Sequence, residues 1–340
     1  MSSPRRPTSF DIAALAGVSQ PTVSRALSGS PSVSAETRAR VLAAAKDLNY
    51  IVDKNASGLR RQQSRTIALL FFEDPTPDDT LINPFYLSML GSLTRSCAAA
   101  GFDLLISFQQ LSGDWHVDYE DSRKADGILL LGYGDYVVAR PRLEQLVRQG
   151  THFVRWGDPR AGQVGTTVGS DNEQGGYLAA RHLIDRGRRN IAFLGTVGAG
   201  TPEFASRWTG FKRALDEAGL THDPRLKVDA DPTEDSGRNA ALHLLDQDVP
   251  FDAIFATSDF AALGAMRALH DARIDIPGDV AIVGFDNIAA AQQAEPPLTT
   301  IAQDSRQAGE ALVATLVAKI EEREPECVLL PVRLIVRSTT

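Results

Sequence analysis

Beyond Thr66 the sequence alternates short, unbroken apolar runs with longer amphipathic stretches, and that alternation limits the possible folds more than any other feature. The runs at 67–72, 103–108, 127–131, 153–156, 166–169, 190–194, 253–256 and 280–283 predict strands covered on both faces, because a strand with one wet face would alternate apolar with polar residues. Helical periodicity fills the intervals, most clearly at 86–100, 175–186, 207–218 and 259–272. Strands joined through helical crossovers build parallel sheets, and this many exceed one sheet of ordinary width. The expected class is therefore α/β with two doubly wound lobes, in which ligands bind outside the carboxyl ends of the strands.

The N-terminal stretch is of another kind. Residues 8–49 keep a helical spacing throughout, with Phe10, Ile12, Ala13, Leu15 and Ala16, then Val23 and Leu27, then Val41, Leu42, Ala45 and Leu48. Thr8 can cap a first helix that Gly17 breaks. Ser19 starts a second that Gly29 and Pro31 end, and Ser34 with Thr37 opens a third. Residues 50–65 carry no strand signal and read as a linker with one short helical stretch at 54–60. The chain thus divides into a three-helix domain at 8–50, a linker at 51–65 and a two-lobed α/β domain at 66–340.

Charge supports that division. The net charge of −8 argues against a nucleic-acid partner only if it is spread evenly. Residues 1–65 hold ten Arg or Lys against four acids, a local charge of +6, so the remainder carries −14. A basic head on an acidic body is the asymmetry of a chain in which one module meets a polyanion.

Other chemistries find little support. Cys97 and Cys327 belong to no CxxC spacing, and the six histidines never form HxH or HExxH, so no metal or other cofactor is expected. The loop Gly195-Thr-Val-Gly198-Ala-Gly200 lacks the spacing of a nucleotide-binding loop and reads as a flexible cleft loop. No GxSxG, paired carboxylates or metal cluster suggests an enzyme. The polar N-terminus with Arg5 and Arg6 is no signal peptide, and no apolar run approaches a membrane span, so a cytoplasmic protein is expected.

The sharpest signal runs from Asp11 to Leu27. In Ala13-Ala14-Leu15-Ala16-Gly17-Val18-Ser19 small residues let two helices approach at a tight turn, and Gly17 can take the conformation that turn needs. The helix that follows projects Gln20, Pro21 and Arg25, and in a helix-turn-helix such a face enters the major groove. There Arg can bond guanine O6 and N7, and Gln can bond adenine. This segment, with Val33-Ser34-Ala35-Glu36-Thr37-Arg38 and Leu48-Asn49-Tyr50 downstream, closely resembles the LacI/GalR family, which includes the lactose and purine repressors. The resemblance extends through almost the whole chain. It implies base-reading positions at Gln20, Pro21 and Arg25 and phosphate contacts at Ser19, Thr22, Ser24 and Asn49. It also implies a hinge helix at Ala56-Ser57-Gly58-Leu59-Arg60, with Leu59 as a minor-groove wedge. Gly58 departs from the commonest pattern and lowers helix propensity by about 1 kcal/mol against Ala, so the hinge is expected to order only on DNA.

In the body the resemblance rests on Asn83-Pro84-Phe85, Ala125-Asp126-Gly127-Ile128, Asp171-Asn172 with Gly175-Gly176, and Arg207 with Gly210-Phe211. It continues with Ser258-Asp259, Val283-Gly284-Phe285-Asp286-Asn287 and Pro297-Leu298-Thr299-Thr300-Ile301. It implies a periplasmic-binding-protein-like effector domain. Arg207 and Asp286 match ligand-contacting positions and suit sugar hydroxyls as donor and acceptor. Phe85, Tyr86 and Trp156 match cleft positions where an aromatic face suits a sugar ring or a flat base. Asp171, Gln174, Ser258 and Gln303 fit a ligand contact and a helix cap or interlobe contact equally well, and Asp259 fits a cap of the helix behind it. Pro232 stands where many relatives carry an aromatic platform.

The expected function is a transcriptional regulator, a repressor whose operator affinity is set by a small molecule, in first place a sugar. A purine-type corepressor is the alternative, and a cytosolic sugar-binding protein or enzyme a more distant one. Expected partners are a pseudo-palindromic double-stranded operator, the effector and a second copy of the chain, with no membrane. The sequence after Leu334 leaves no room for a leucine-heptad helix, which points to dimers rather than tetramers.

Overall fold

The computed structural model describes residues 7–27, 29–48, 50, 63–72, 82–109, 113–132, 135–160 and 162–340. The chain forms two compact units, Met1–Ser64 and Arg65–Thr340.

The first unit contains α1 (Ser9–Ala16), α2 (Gln20–Leu27) and α3 (Ala35–Asp47). Asp11 accepts from both the backbone N–H and the hydroxyl of Thr8 at 2.7 Å, and the Ser34 hydroxyl accepts from the Thr37 N–H at 3.2 Å, so α1 and α3 start where orphan donors find oxygens. Gly17 ends α1 with φ +64°, the left-handed conformation that lets the chain reverse directly into α2. Ile12, Ala16, Val23, Ala26, Val41, Ala44 and Ala45 form the core. Phe10, Leu15 and Leu42, apolar members of the helical pattern, face solvent instead, since a unit this small has one narrow buried stripe per helix.

In the second unit the elements are β1 (Thr66–Phe72), α4 (Pro84–Ala99), β2 (Asp103–Gln109), a π-helical turn (His116–Asp121), β3 (Gly127–Leu131), α5 (Tyr136–Arg148), β4 (Phe153–Trp156) and β5 (Thr166–Ser170). Then follow α6 (Asn172–Asp185), β6 (Ile191–Leu194), α7 (Pro202–Glu217), a short 3₁₀ turn (Pro224–Leu226), β7 (Lys227–Val228), α8 (Glu234–Asp246), β8 (Ala253–Ala256) and α9 (Asp259–Asp271). The last are β9 (Ala281–Asp286), α10 (Ala289–Gln293), β10 (Thr299–Gln303), α11 (Ser305–Ile320), β11 (Val328–Leu330) and β12 (Val332–Ile335).

Two six-stranded sheets result, ordered β11-β5-β4-β3-β1-β2 and β12-β10-β9-β8-β6-β7. Every pairing is parallel except β10 with β12. Most of the continuous apolar runs are buried strands, with β3, β4, β8 and β9 buried along their whole length, but the run at 103–108 is the edge strand β2, which has a neighbour on one side only and exposes Leu105, Ile106 and Phe108. The chain crosses between lobes three times, after β5, after β10 and between β11 and β12. A hydrogen bond from the Asp171 N–H to the Leu330 carbonyl ties two of these crossings at 2.8 Å.

Candidate functional site

Both sheets are parallel, so their carboxyl ends collect the loops, and a bond across the lobes shows that these ends face each other: the Tyr136 N–H at the start of α5 donates to the Gly200 carbonyl of the 195–201 loop at 2.9 Å. That loop is held from both sides, by this bond and by the Thr201 hydroxyl, which donates to Thr196 O at 2.6 Å.

On the C-lobe side, Arg207 is 1% exposed. Its Nε donates to Asn172 Oδ1 at 2.9 Å, its Nη1 to the Thr257 carbonyl, and its guanidinium lies 3.6 Å from the centroid of the Phe285 ring. The local sequence explains the depth. A Cβ on Gly176 would stand 1.9 Å from the Arg207 carbonyl, and one on Gly210 would stand 1.8 Å from the Glu173 carbonyl, so only glycine lets α6 and α7 approach closely enough to bring Arg207 beneath the sheet edge. Nη2 makes no hydrogen bond to a described residue. Asp286, at the end of β9 and 4% exposed, accepts from Gln303 Nε2 at 2.6 Å.

The three candidate aromatics gather on the N-lobe side. Phe85 lies 5.5 Å from Tyr86 and 5.7 Å from Trp156, ring centroid to ring centroid. All three rings are packed into the core, with at most 6% exposed. Asn83 starts α4, which carries Phe85 and Tyr86, by accepting from the Phe85 N–H at 2.9 Å, while Trp156 ends β4.

Of the four residues with two readings, Asp171 caps α6 by accepting from the Gln174 N–H at 2.9 Å and pairs with Arg160 at 2.7 Å. Gln174 accepts from Arg213 at 3.3 Å. Ser258 caps α9 through the Ala261 N–H at 3.1 Å, so Asp259 is not the cap; Gln303 meets Asp286. In the first unit Ser19, Pro21 and Arg25 are exposed, Ser19 shares a hydrogen bond with Thr22 at 2.9 Å, and Gln20 donates to Ser9 at 3.2 Å. Ser24 is half-buried on the same helix. Asn49, Ala56 and Leu59, with the whole 54–60 stretch, lie outside the described residues.

Sequence reasoning passed over a second group. Arg155, at the carboxyl end of β4, is 6% exposed and stacks 5.2 Å from the centroid of Tyr136, yet its Nε and Nη2 are buried without a hydrogen-bond partner. Asp158 is 1% exposed with Oδ2 unpaired, and the hydroxyls of Ser170 and Thr257 are unpaired too. Across the lobes Glu203 starts α7; burial pushes its carboxyl above the usual value against the pull of Arg155 and Arg207. Neither Arg155 nor Glu203 forms an ion pair among the described residues. Buried polar atoms are seldom left unmatched, each costing about 1 to 3 kcal/mol, so this group is a candidate for ligand contact. The signal was present in the sequence as an Arg inside the apolar run 153–156, a polar break in a buried strand. No group of three or more His, Cys, Asp or Glu among the described residues is arranged to hold a metal ion. No helix among them is long and apolar enough to cross a membrane.

Known proteins share this arrangement. Residues 10–53 match the family described as bacterial regulatory proteins, lacI family, and residues 180–340 match the periplasmic binding protein-like domain. The HTH-type transcriptional regulator CelR of Thermobifida fusca is 35% identical over 98% of each chain, and the ribose operon repressor of Escherichia coli strain K12 is 31% identical over 93% of each. Among solved structures, a CelR–cellobiose complex aligns with TM-score 0.73 at 32% identity, covering 98% of this chain and 100% of that one. A lac repressor dimer bound to operator and the anti-inducer ONPF aligns with TM-score 0.83 at 25% identity, covering 98% and 99%. These relatives are transcriptional regulators, not enzymes.

Proposed function

This chain is a DNA-binding transcriptional regulator of the lacI family, and from that premise we propose that it is a repressor whose operator affinity is controlled by a neutral sugar held between the lobes. The observation that carries the effector class is the unmatched pair on the N-lobe rim, donors on Arg155 and an acceptor on Asp158, with the buried Glu203 carboxyl facing them from the other lobe. A hydroxyl donates and accepts at once, so neighbouring sugar hydroxyls answer both, whereas a phosphate answers the arginine and is repelled by the acids. Arg207 Nη2 and Asp286 complete the cleft from the C-lobe. The cellobiose in the CelR complex and the ribose bound to a LacI family regulator of Enterococcus faecium are ligands of the same class. A purine corepressor is the second reading. It is favoured by the Phe85–Tyr86–Trp156 cluster and by a PurR relative in Vibrio atlanticus, 30% identical over 93% of this chain.

The first unit reads DNA. Gln20, Pro21 and Arg25 face base edges, Ser19, Thr22, Ser24 and Asn49 face phosphates, and Leu59 wedges the minor groove beside Ala56. A pseudo-palindromic operator requires two such heads, so the chain works as a cytoplasmic homodimer. Two surfaces of the body suit that pairing: the edge strand β2, which exposes Leu105, Ile106 and Phe108, and a 610 Å³ groove lined by Leu263, Met266, Arg267, Ala290 and Ala294.

A thermal-shift screen of cellobiose, ribose, guanine and hypoxanthine tests the effector class, since a ligand at 100 times its Kd adds about 2.7 kcal/mol. Stabilisation by a sugar alone, with loss of operator binding in a mobility-shift assay, is the expected result. Stabilisation by a purine alone, with tightened DNA binding, would replace the first reading by the second.

A further inference from the structure

Three separated segments of sequence, Ser258-Asp259, Gly284 to Asn287 and Thr299-Thr300, meet at one point under the cleft. β9 ends there in two consecutive non-glycine residues with positive φ, Asp286 at +113° and Asn287 at +58°. Such residues persist only where their surroundings over-determine them.

The turn is held at three places. Gln303 donates to the Asp286 carboxylate at 2.6 Å, and Arg337 donates to the Asn287 side-chain oxygen at 2.6 Å. The third hold comes from beneath: Asp259 Oδ2 accepts from the Ile288 N–H at 2.9 Å, while its Oδ1 accepts from the Thr300 hydroxyl at 2.6 Å. Asp259 is fully buried, and the space for it exists because position 284 has no side chain; a Cβ there would stand 2.3 Å from Oδ1. A buried carboxylate is costly, and here burial and then the neighbouring Asp286 carboxylate push its pKa well above the usual range. The helix-capping task is already performed by Ser258, so capping does not account for it.

We infer that Asp259 is a positioning residue of the effector site, which bolts the Ile288 amide to β10 and so holds the turn in the conformation that aims Asp286 at the cleft. This rests on the reading of Asp286 as an effector contact. Asp259 itself does not reach the ligand. Asn at this position keeps an oxygen for the Ile288 N–H and presents its amide to the Thr300 oxygen, whereas Ala leaves both partners buried and unmatched.

Crystal structures and cellobiose titrations of the full-length Asp259→Ala and Asp259→Asn proteins test this. In Asp259→Ala the φ angles at 286 and 287 are expected to relax and the Kd for cellobiose to weaken roughly tenfold or more. In Asp259→Asn the turn is expected to stay and the Kd to remain within roughly threefold. An unchanged turn in Asp259→Ala overturns the inference, whatever the affinity does. If Asp259→Ala does not fold, Thr300→Val removes one of the two holds and is read by the same angles. If wild type binds no cellobiose, the effector reading suffers and the crystallographic arm still decides the role of Asp259.

Discussion

The two lobes each present a buried arginine to the cleft, and the two arginines differ in what the protein supplies to them. Arg207 on the C-lobe finds Asn172, the Thr257 carbonyl and the face of Phe285, while Arg155 on the N-lobe stacks on the Tyr136 ring near Glu203 and Asp158 and leaves two nitrogens without a hydrogen bond. A buried charge that the fold satisfies is part of the framework. One that the fold leaves unsatisfied is stabilised by something that binds. The C-lobe arginine is thus held by the fold itself, and the N-lobe arginine is the one that the proposed effector would satisfy.

The contrast breaks most readily at Arg207. Arg207→Ala is expected to destabilise the body by about 3 kcal/mol or more, because it strands an amide and a carbonyl and opens space against Phe285. Chemical denaturation of the body measures it, and a loss below about 1 kcal/mol would mean that Arg207 is no more structural than Arg155. Arg155→Ala should do the reverse. Stability is expected to hold within about 1 kcal/mol, since no protein bond is lost, while sugar binding weakens by about 1.5 to 3 kcal/mol, roughly tenfold to a hundredfold in Kd. Calorimetry showing wild-type affinity would remove Arg155 from the site.

A smaller effect, confined to the head, separates reading from sensing. Arg25→Ala is expected to lose roughly 1 to 3 kcal/mol of discrimination between operator and random DNA, with the effector response intact. A mobility-shift titration with unchanged preference would take Arg25 out of the groove.

The smallest effect sharpens the lobe comparison through histidines. In the N-lobe, the hydrogen bond to Glu120 raises the pKa of His152 above its ordinary 6.5. Its contribution to stability is full below pH 6.5 and lost as pH rises through the raised value. In the C-lobe, burial and then Arg186 lower the pKa of His182, so its contribution is present above 6.5 and lost as pH falls through the lowered value. His152→Gln and His182→Gln should therefore change the pH dependence of Tm between pH 5 and 8 in opposite senses. Parallel changes in the two variants would show that the lobes do not differ here.

Much of this was legible without coordinates, for physical reasons. Apolar runs without alternation require strands covered on both faces, which require helical crossovers, and from that the two parallel sheets follow. The carboxyl end of the run before Asp286 was placed with them. The helix-turn-helix was as plain, since Gly17 between small residues permits one tight reversal. The strands β7, β10, β11 and β12 were missed, β10 because Thr299, Thr300 and Gln303 break its apolar character and the others because they are short and only partly buried. The roles within the cleft depended on the tertiary structure. Whether a polar side chain is a cap, a bolt or a ligand contact depends on which atoms from distant segments come within 3 Å of it, and residue type does not carry that information. Asp259 and Ser258 are adjacent in sequence, yet only the packing of Gly284 and Thr300 against them makes one a buried bolt and the other a helix cap. Arg155 and Arg207 are likewise the same residue near the end of a strand and in a helix, and the fold alone decides that Arg207 is hydrogen-bonded while two nitrogens of Arg155 are not.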